Sequence, residues 1–182
     1  MKLREELEAF WRELEATRAE ILKEVEGLSQ THFDWRPAPE DWSIGEVIHH
    51  VTIAEIATGK LQTKLLRQAE GAGILRPSVP GVPVLEPLPR RPGEGPAQAP
   101  AHIWPERGRP APELLDEMRA ARERTRKNFE RFAAVDPRPL VSTHLILGPM
   151  HLGQYWTLVL AHDRIHVPQI RAVKAAPGFP ER

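Results

Sequence analysis

The stretch LGQYWTLVLAHDRIHVPQIRAV, residues 152–173, decides the fold through the spacing of its apolar side chains. Apolar and histidine residues recur in steps of three and four, which is typical of a helix that packs against other helices. Two of these positions are imidazoles, which cost free energy in an apolar seam unless a partner satisfies their polar atoms. The stretch therefore predicts a core helix from about Pro149 to Lys174 that carries a polar site. Its stripe consists of Leu152, Tyr155, Val159, His162, His166, Ile170 and Val173.

Three other segments have the same helical repeat. The first is predicted over residues 2–27, from a stripe that includes Leu3 and Leu14. The second begins at Ser43, where Ser-Ile-Gly-Glu has the form of a capping box, and runs to about residue 69. The third covers residues 112–134, with a proline in its first turn. Its predicted buried residues are Leu115, Met118, Thr125, Phe129 and Phe132.

A proline-rich connection separates the second and third helices. Eleven of the 19 prolines lie in residues 70–112, and such a run cannot form a helix. Apolar residues within it, among them Val82, Val84 and Trp104, indicate that parts of it lie against the protein. No strand is predicted, and VSTHLILGPM, residues 141–150, is interpreted as a loop. The expected fold is therefore an all-α four-helix bundle with a long crossover between helices 2 and 3, in one domain of residues 1–182.

Composition limits the chemistry and the partners. The chain has no cysteine, which excludes disulfides, a cysteine nucleophile and a cysteine metal site. Basic and acidic residues are equal at 25 each, so neither nucleic acid nor a membrane surface is an expected partner. The stretch RAARERTRK, residues 119–127, is interpreted as a solvated helix face. The charged N-terminus lacks the apolar block of a signal peptide, and a cytoplasmic location is expected.

Three histidines form a candidate metal site. His162 and His166 are four residues apart, so their rings can converge on one point, as in the zinc-binding helices of metalloproteases. His49 and His50 lie about 100° apart on the second helix, and His50 shares the side of Val47. The pattern predicts that His50, His162 and His166 bind a metal between the second and fourth helices, with open positions for water or substrate. The alternative is a set of core histidines bonded to carbonyls or water.

Three neighbouring residues have double interpretations. Glu46 and Asp163 could each orient a ligand histidine. The capping box favours a capping role for Glu46, and Asp163 is expected to be solvated. Pro168 removes a backbone donor and is expected to kink the helix just past the histidines.

Two sequence motifs together resemble a known family. RPAPEDWSIGEVIHHVTIAE, residues 36–55, followed much later by AHDRIHVPQI, residues 161–170, is similar to the DinB/YfiT-like superfamily. The resemblance implies a four-helix bundle with a crossover between helices 2 and 3, and a divalent metal, commonly zinc or nickel. It places the three ligands on His50, His162 and His166. Pro168 departs from the pattern of the family.

The resemblance also implies a range of functions. Its members include metal-dependent transferases that use low-molecular-weight thiols, isomerases and hydrolase-like proteins. The leading expectation is a thiol S-transferase, of the bacillithiol or mycothiol type, or a metal-assisted hydrolase, acting on small molecules. Because the chain has no cysteine, the thiol would come from a cofactor. The alternative is a non-enzymatic, stress-related bundle with structural metal or none. A homodimer is expected in either case.

Overall fold

Helices make up most of the computed structural model, which describes residues 5–79, 84–90 and 99–181. Its five helices are α1 (Glu5–Glu24), α2 (Gln30–Asp34), α3 (Ile44–Gly71), α4 (Ala111–Phe132) and α5 (Leu152–Ala175). Two strands, β1 (Val141–His144) and β2 (Gly148–His151), precede α5, and a 3-10 turn spans Ala101–Ile103. The four long helices correspond to the four predicted ones, so the all-α bundle is confirmed. Leu3 and Val82 lie outside the described residues.

Contacts between the long helices define their directions. Glu13 and Glu24 of α1 pair with Arg164 and Lys174 of α5, so α1 and α5 run parallel. The position of Gly45 in α3 faces Leu114 of α4, and further along the side chain of Asn128 reaches the carbonyl of Gly59, so α3 and α4 are also parallel. A chain that enters two consecutive helices in the same direction must return along their length. The long crossover is therefore a topological requirement.

The described parts of the crossover lie on the protein at opposite ends of α3. Val84 is buried near the start of α5, where Gln154 and Thr157 donate to the carbonyls of Pro87 and Glu86. Residues 101–109 lie against the first turns of α3, where the backbone N–H of Glu106 donates to the ring of His49. The prediction that apolar parts of the connection pack on the protein is confirmed for Val84, whereas Trp104 is 54% exposed.

The start of α5 differs from the prediction. Residues 141–150, interpreted from sequence as a loop, contain most of an antiparallel hairpin in which Val141 pairs with His151 and His144 with Gly148. Gly148 has a φ of 76°, in the left-handed region that favours glycine, at the return of the chain into the ladder. Helix α5 consequently begins at Leu152, three residues later than expected. It continues through Pro168 to Ala175, and the kink stays a prediction.

The core contains two large apolar groups of side chains. One surrounds the first turns of α3 and includes Ile21, Ile44 and Ile170. The other surrounds the start of α5, where Trp156 lies edge-on to Phe129, with ring centroids 4.9 Å apart. In α4, Leu114 is fully buried and Leu115 is only partly buried, which corrects the predicted core position. No described helix combines the length and the apolar character needed to cross a membrane.

Gly153 is expected to be essential for the close contact between the crossover and α5. A Cβ atom at this position would overlap the backbone carbonyl of Val84, and a backbone group cannot rotate away. Gly153→Ala should therefore lower the free energy of unfolding by about 1–3 kcal/mol, the usual cost of overpacking. Gly71→Ala is the control, because a Cβ there meets nothing within 4 Å, and it should be neutral or stabilising by up to about 1 kcal/mol. Equal denaturant midpoints for the two variants would contradict this interpretation.

Candidate metal centre

The three predicted histidines meet between α3 and α5. The Nε2 atom of His162 lies 3.1 Å from Nε2 of His50 and 3.3 Å from Nε2 of His166. One ring nitrogen from each residue lies within 4.8 Å of the other two. The structure thus brings together three nitrogen donors, one from α3 and two from adjacent turns of α5. Among the described residues, these three histidines are the one group of His, Cys, Asp or Glu side chains placed to hold a metal ion.

Hydrogen bonds on the far side of two rings set their tautomers. The Nδ1 atom of His50 lies 2.8 Å from the carbonyl oxygen of Ile103, which can only accept, so Nδ1 carries the proton. The Nδ1 atom of His166 lies 2.6 Å from the amide oxygen of Gln169, which gives that ring the same tautomer. The Nε2 lone pairs of both rings are therefore directed to the centre of the cluster. Metal-binding histidines are commonly oriented by such bonds from the second nitrogen.

The donor set fits a cation. His162 can donate at most one proton from Nε2, so it can satisfy only one of the two lone pairs that face it. In a metal-free cluster, the Nε2 lone pair of either His50 or His166 therefore lacks a donor from His162, which is unfavourable because both residues are buried. A divalent ion accepts electron density from all three nitrogens at once. Three imidazoles with room for further ligands are typical of catalytic zinc sites.

Burial keeps the three rings in the neutral form that binds metal. It lowers the pKa of His50 to about 4, despite the opposing hydrogen bond to Ile103. Burial also lowers the pKa of His162 well below its usual range, with a contribution from the neighbouring His166. The pKa of His166 is lowered mainly by burial as well. Protons therefore compete weakly for these nitrogens near neutral pH.

Aromatic rings and the crossover enclose the His50 side of the cluster. The ring centroids of Trp42 and His50 are 4.7 Å apart. Trp104 contacts Trp42 edge-on, with ring centroids 5.5 Å apart. His49 is also buried but turns away from the cluster. Its ring accepts from the backbone N–H of Glu106 and contacts the guanidinium of Arg109. The expected choice of His50 over His49 thus agrees with the geometry, while the ligand role of the three histidines stays a prediction.

Glu46 has the capping role that the sequence favours. The Ser43 hydroxyl accepts from the backbone N–H of Glu46, and the Glu46 carboxylate accepts from the backbone N–H of Ser43. The same carboxylate pairs with Arg36. These bonds satisfy the donors at the first turn of α3 and fix the start of the helix that carries His50.

Asp163 is not solvated, and this corrects the prediction. Its side chain is 2% exposed and accepts from Arg18 of α1 and Arg122 of α4. The same two arginines bind Glu55 of α3, at 2.7 Å from Arg18 and 2.9 Å from Arg122. We call Arg18, Glu55, Arg122 and Asp163 the charge network. It joins all four long helices next to the metal candidate.

The opposite charges within the charge network compensate one another. Burial opposes ionisation of Glu55, but Arg18 and Arg122 outweigh it and lower the pKa of this carboxyl. Burial also opposes the charge of Arg122, while Glu55 and Asp163 raise its pKa overall. Arg18 and Arg122 each lie at core positions of their helical stripes, which is the sequence signal for this network. The burial of Arg122 also corrects the interpretation of residues 119–127 as a solvated helix face.

Comparison with known proteins identifies the family. A family model described as the DinB superfamily matches residues 13–170. This range includes all three clustered histidines and the complete charge network. No curated protein and no solved structure matches the chain. Because this match covers most of the chain, the chain belongs to the DinB superfamily.

Proposed function

We propose that the protein is a divalent-metal-dependent enzyme in which His50, His162 and His166 hold the ion. The observation that carries this proposal is the convergence of three Nε2 atoms, with the Nδ1 atoms of His50 and His166 bound by fixed acceptors. Zinc and nickel both suit imidazole donors. A bound ion of this kind would lower the pKa of a thiol or a water molecule and supply it as a nucleophile.

The reaction that fits best is transfer of an external thiol to an electrophilic small molecule. The chain contains no cysteine, so a thiol nucleophile must enter as a second substrate, of the bacillithiol or mycothiol type. Metal-assisted hydrolysis is the variant in which water takes the place of the thiol. The two reactions share the site and differ in the nucleophile, so a single set of assays separates them.

The protein groups around the cluster have positioning roles in this proposal. Ile103 and Gln169 hold two of the rings, and Trp42 covers one face of His50. The nearby carboxylates of Glu55 and Asp163 are both bound by arginines. They are consequently poor candidates for accepting a proton from the nucleophile. A homodimer and a cytoplasmic location remain predictions that accompany this proposal.

Thiol transfer should depend on the ion and on the histidines. Zinc- or nickel-loaded protein is incubated with an aryl halide or epoxide and, in separate reactions, with bacillithiol, mycothiol, glutathione or no thiol. A parallel series with activated esters measures hydrolysis. We expect conjugation in the presence of one thiol, with a rate at least about 100-fold lower after chelation, because the ion creates the nucleophile.

His162→Ala and His102→Ala provide the matched pair of variants for this assay. His102 is an exposed histidine of the 3-10 turn, and its replacement should leave the rate unchanged. Ester hydrolysis without conjugation would replace transfer by hydrolysis. A tightly bound ion with neither activity would support a structural role for the metal and contradict the enzymatic proposal.

A further inference from the structure

A groove between α3 and α4 forms a second candidate binding site. Its volume is about 630 Å³, and none of the three clustered histidines lines it. It begins beside Glu55 and follows the second half of α3 to Gln68. The opposite wall is the α4 segment from Ala121 to Asn128. The groove therefore lies on parts of α3 and α4 that do not contribute to the candidate metal centre.

The charge of the groove is strongly one-sided. Five cationic side chains line it: Lys60, Lys64, Arg67, Arg124 and Lys127. The carboxylate in its lining belongs to Glu55, which is already bound by Arg18 and Arg122. Within the described ranges, no ion pair joins any of the five cations to a carboxylate. The groove thus presents unneutralised positive charge in a chain whose net charge is zero.

Cations on the opposite side of the bundle behave differently. Arg164 of α5 pairs with Glu13, while Arg171 and Lys174 both pair with Glu24. These arginines and the lysine are matched by acidic residues of α1, as expected for a solvated helix surface. These cations of α5 are therefore neutralised, whereas the five cations of the groove are not. This asymmetry favours an anionic ligand in the groove.

Neutral hydrogen-bonding groups also line the groove. The Asn128 amide and the Thr63 hydroxyl both donate to the carbonyl of Gly59, at 3.3 and 2.9 Å. Thr63 also lies 3.3 Å from the Asn128 side-chain oxygen. These contacts tie α4 to α3 at a position where α3 has no side chain. The groove is therefore lined by these neutral polar groups as well as by the five cations.

The spacing of the cations indicates the size of the ligand. Lys60 and Arg67, with Lys64 between them, are seven residues apart, or about 10 Å along the helix. One phosphate is too small to contact all three together with Arg124 and Lys127. Arginine and lysine are the side chains that proteins use most for phosphate. We propose that the groove binds a small molecule that carries two or three phosphate groups, and this proposal does not depend on the proposed reaction.

Calorimetric titration of the 182-residue protein with inorganic tripolyphosphate tests the groove. We expect one ligand per chain, with affinity that falls steeply between low and physiological salt because the contacts are ionic. Lys60→Gln/Lys64→Gln should weaken binding by about tenfold or more, since two charge-assisted contacts are lost. Arg164→Gln/Arg171→Gln removes two cations from the opposite side and should change the affinity by less than about twofold.

Two further arms exclude other sources of binding. His162→Ala/His166→Ala should bind tripolyphosphate as the unmodified chain does; loss of binding in this variant alone would place the phosphate at the histidine cluster and overturn the groove. Short duplex DNA, titrated under the same conditions, should bind more weakly than tripolyphosphate. Tighter binding of DNA, equal affinities for the two pairs of charge variants, or no binding of tripolyphosphate would each contradict the proposal.

Discussion

Replacement of His162 by alanine is expected to abolish stoichiometric binding of a divalent ion. His162 is the central member of the cluster, because its Nε2 atom lies within 3.3 Å of Nε2 in both other histidines. Loss of a residue that merely supports a ligand costs about 10–100-fold in metal affinity, so loss of the ligand should exceed about 100-fold. Metal analysis after dialysis, and competition with a chromogenic chelator, measure the stoichiometry and the affinity.

His102→Ala is the control for this prediction, because it also removes one imidazole but from an exposed position. It should retain one ion per chain. Far-UV circular dichroism of both variants establishes that the helices are intact, so that loss of metal is not a consequence of unfolding. Retention of the ion in folded His162→Ala would show that the cluster is not its site, and would leave the three histidines as core residues.

Asp163→Asn should strongly destabilise the bundle, although asparagine has nearly the same size and shape as aspartate. The change keeps the shape of the side chain but removes a buried negative charge that binds Arg18 and Arg122. Breaking one partner of a buried ion pair typically costs about 3–5 kcal/mol, because the remaining charges lose their compensation. For a chain of this length, that cost corresponds to a fall in Tm of about 6–20 °C.

Glu13→Gln provides a matched control for the charge network. Glu13 pairs with Arg164 on the surface, with both side chains 55% exposed, and such pairs contribute at most about 1 kcal/mol. Both variants are compared by thermal unfolding as metal-free proteins, so that ion binding does not enter the difference. Similar Tm values for the two would mean that the buried network contributes no more than a surface pair.

Much of the fold and of the site follows from periodic positions in the sequence. The stripe of α5 predicts a core helix, and the four-residue spacing of His162 and His166 predicts that their rings converge. The prolines of residues 70–112 exclude a helix, which leaves a crossover as the connection between two helices. These predictions succeed because the spacing of residues along a helix determines the directions in which their side chains point. His50 was assigned by the same rule and lies in the cluster.

The charge network was not predicted, although each of its members lies at a core position. Arg18 follows Leu14 by four residues and precedes Ile21 by three, so it belongs to the apolar stripe of α1. Asp163 follows Val159 by four residues in the same way. Charged side chains are seldom fully buried unless they are paired. One such residue per helix is uninformative alone, and its partners are fixed only when the four helices come together.

The hairpin before α5 was missed for a different reason. Each strand has four residues, which is near the lower limit of strand length, and β2 contains Pro149. Proline within a short apolar segment argues against a strand, except at an edge or the beginning of one. Here Pro149 is the second residue of β2, which belongs to a two-stranded sheet in which both strands are edges. Residues 145–147 connect the strands, and Gly148, the first residue of β2, adopts the positive φ at the end of the turn.

Anomalous diffraction from crystals of the zinc- or nickel-loaded protein tests the central claim most directly. We predict one strong peak per chain between α3 and α5, about 2.0–2.2 Å from the Nε2 atoms of His50, His162 and His166. The Nδ1 atoms of His50 and His166 should keep their bonds to Ile103 and Gln169. A peak at other residues, coordination by only two of these histidines, or no peak in protein soaked with excess ion would contradict a three-histidine metal centre.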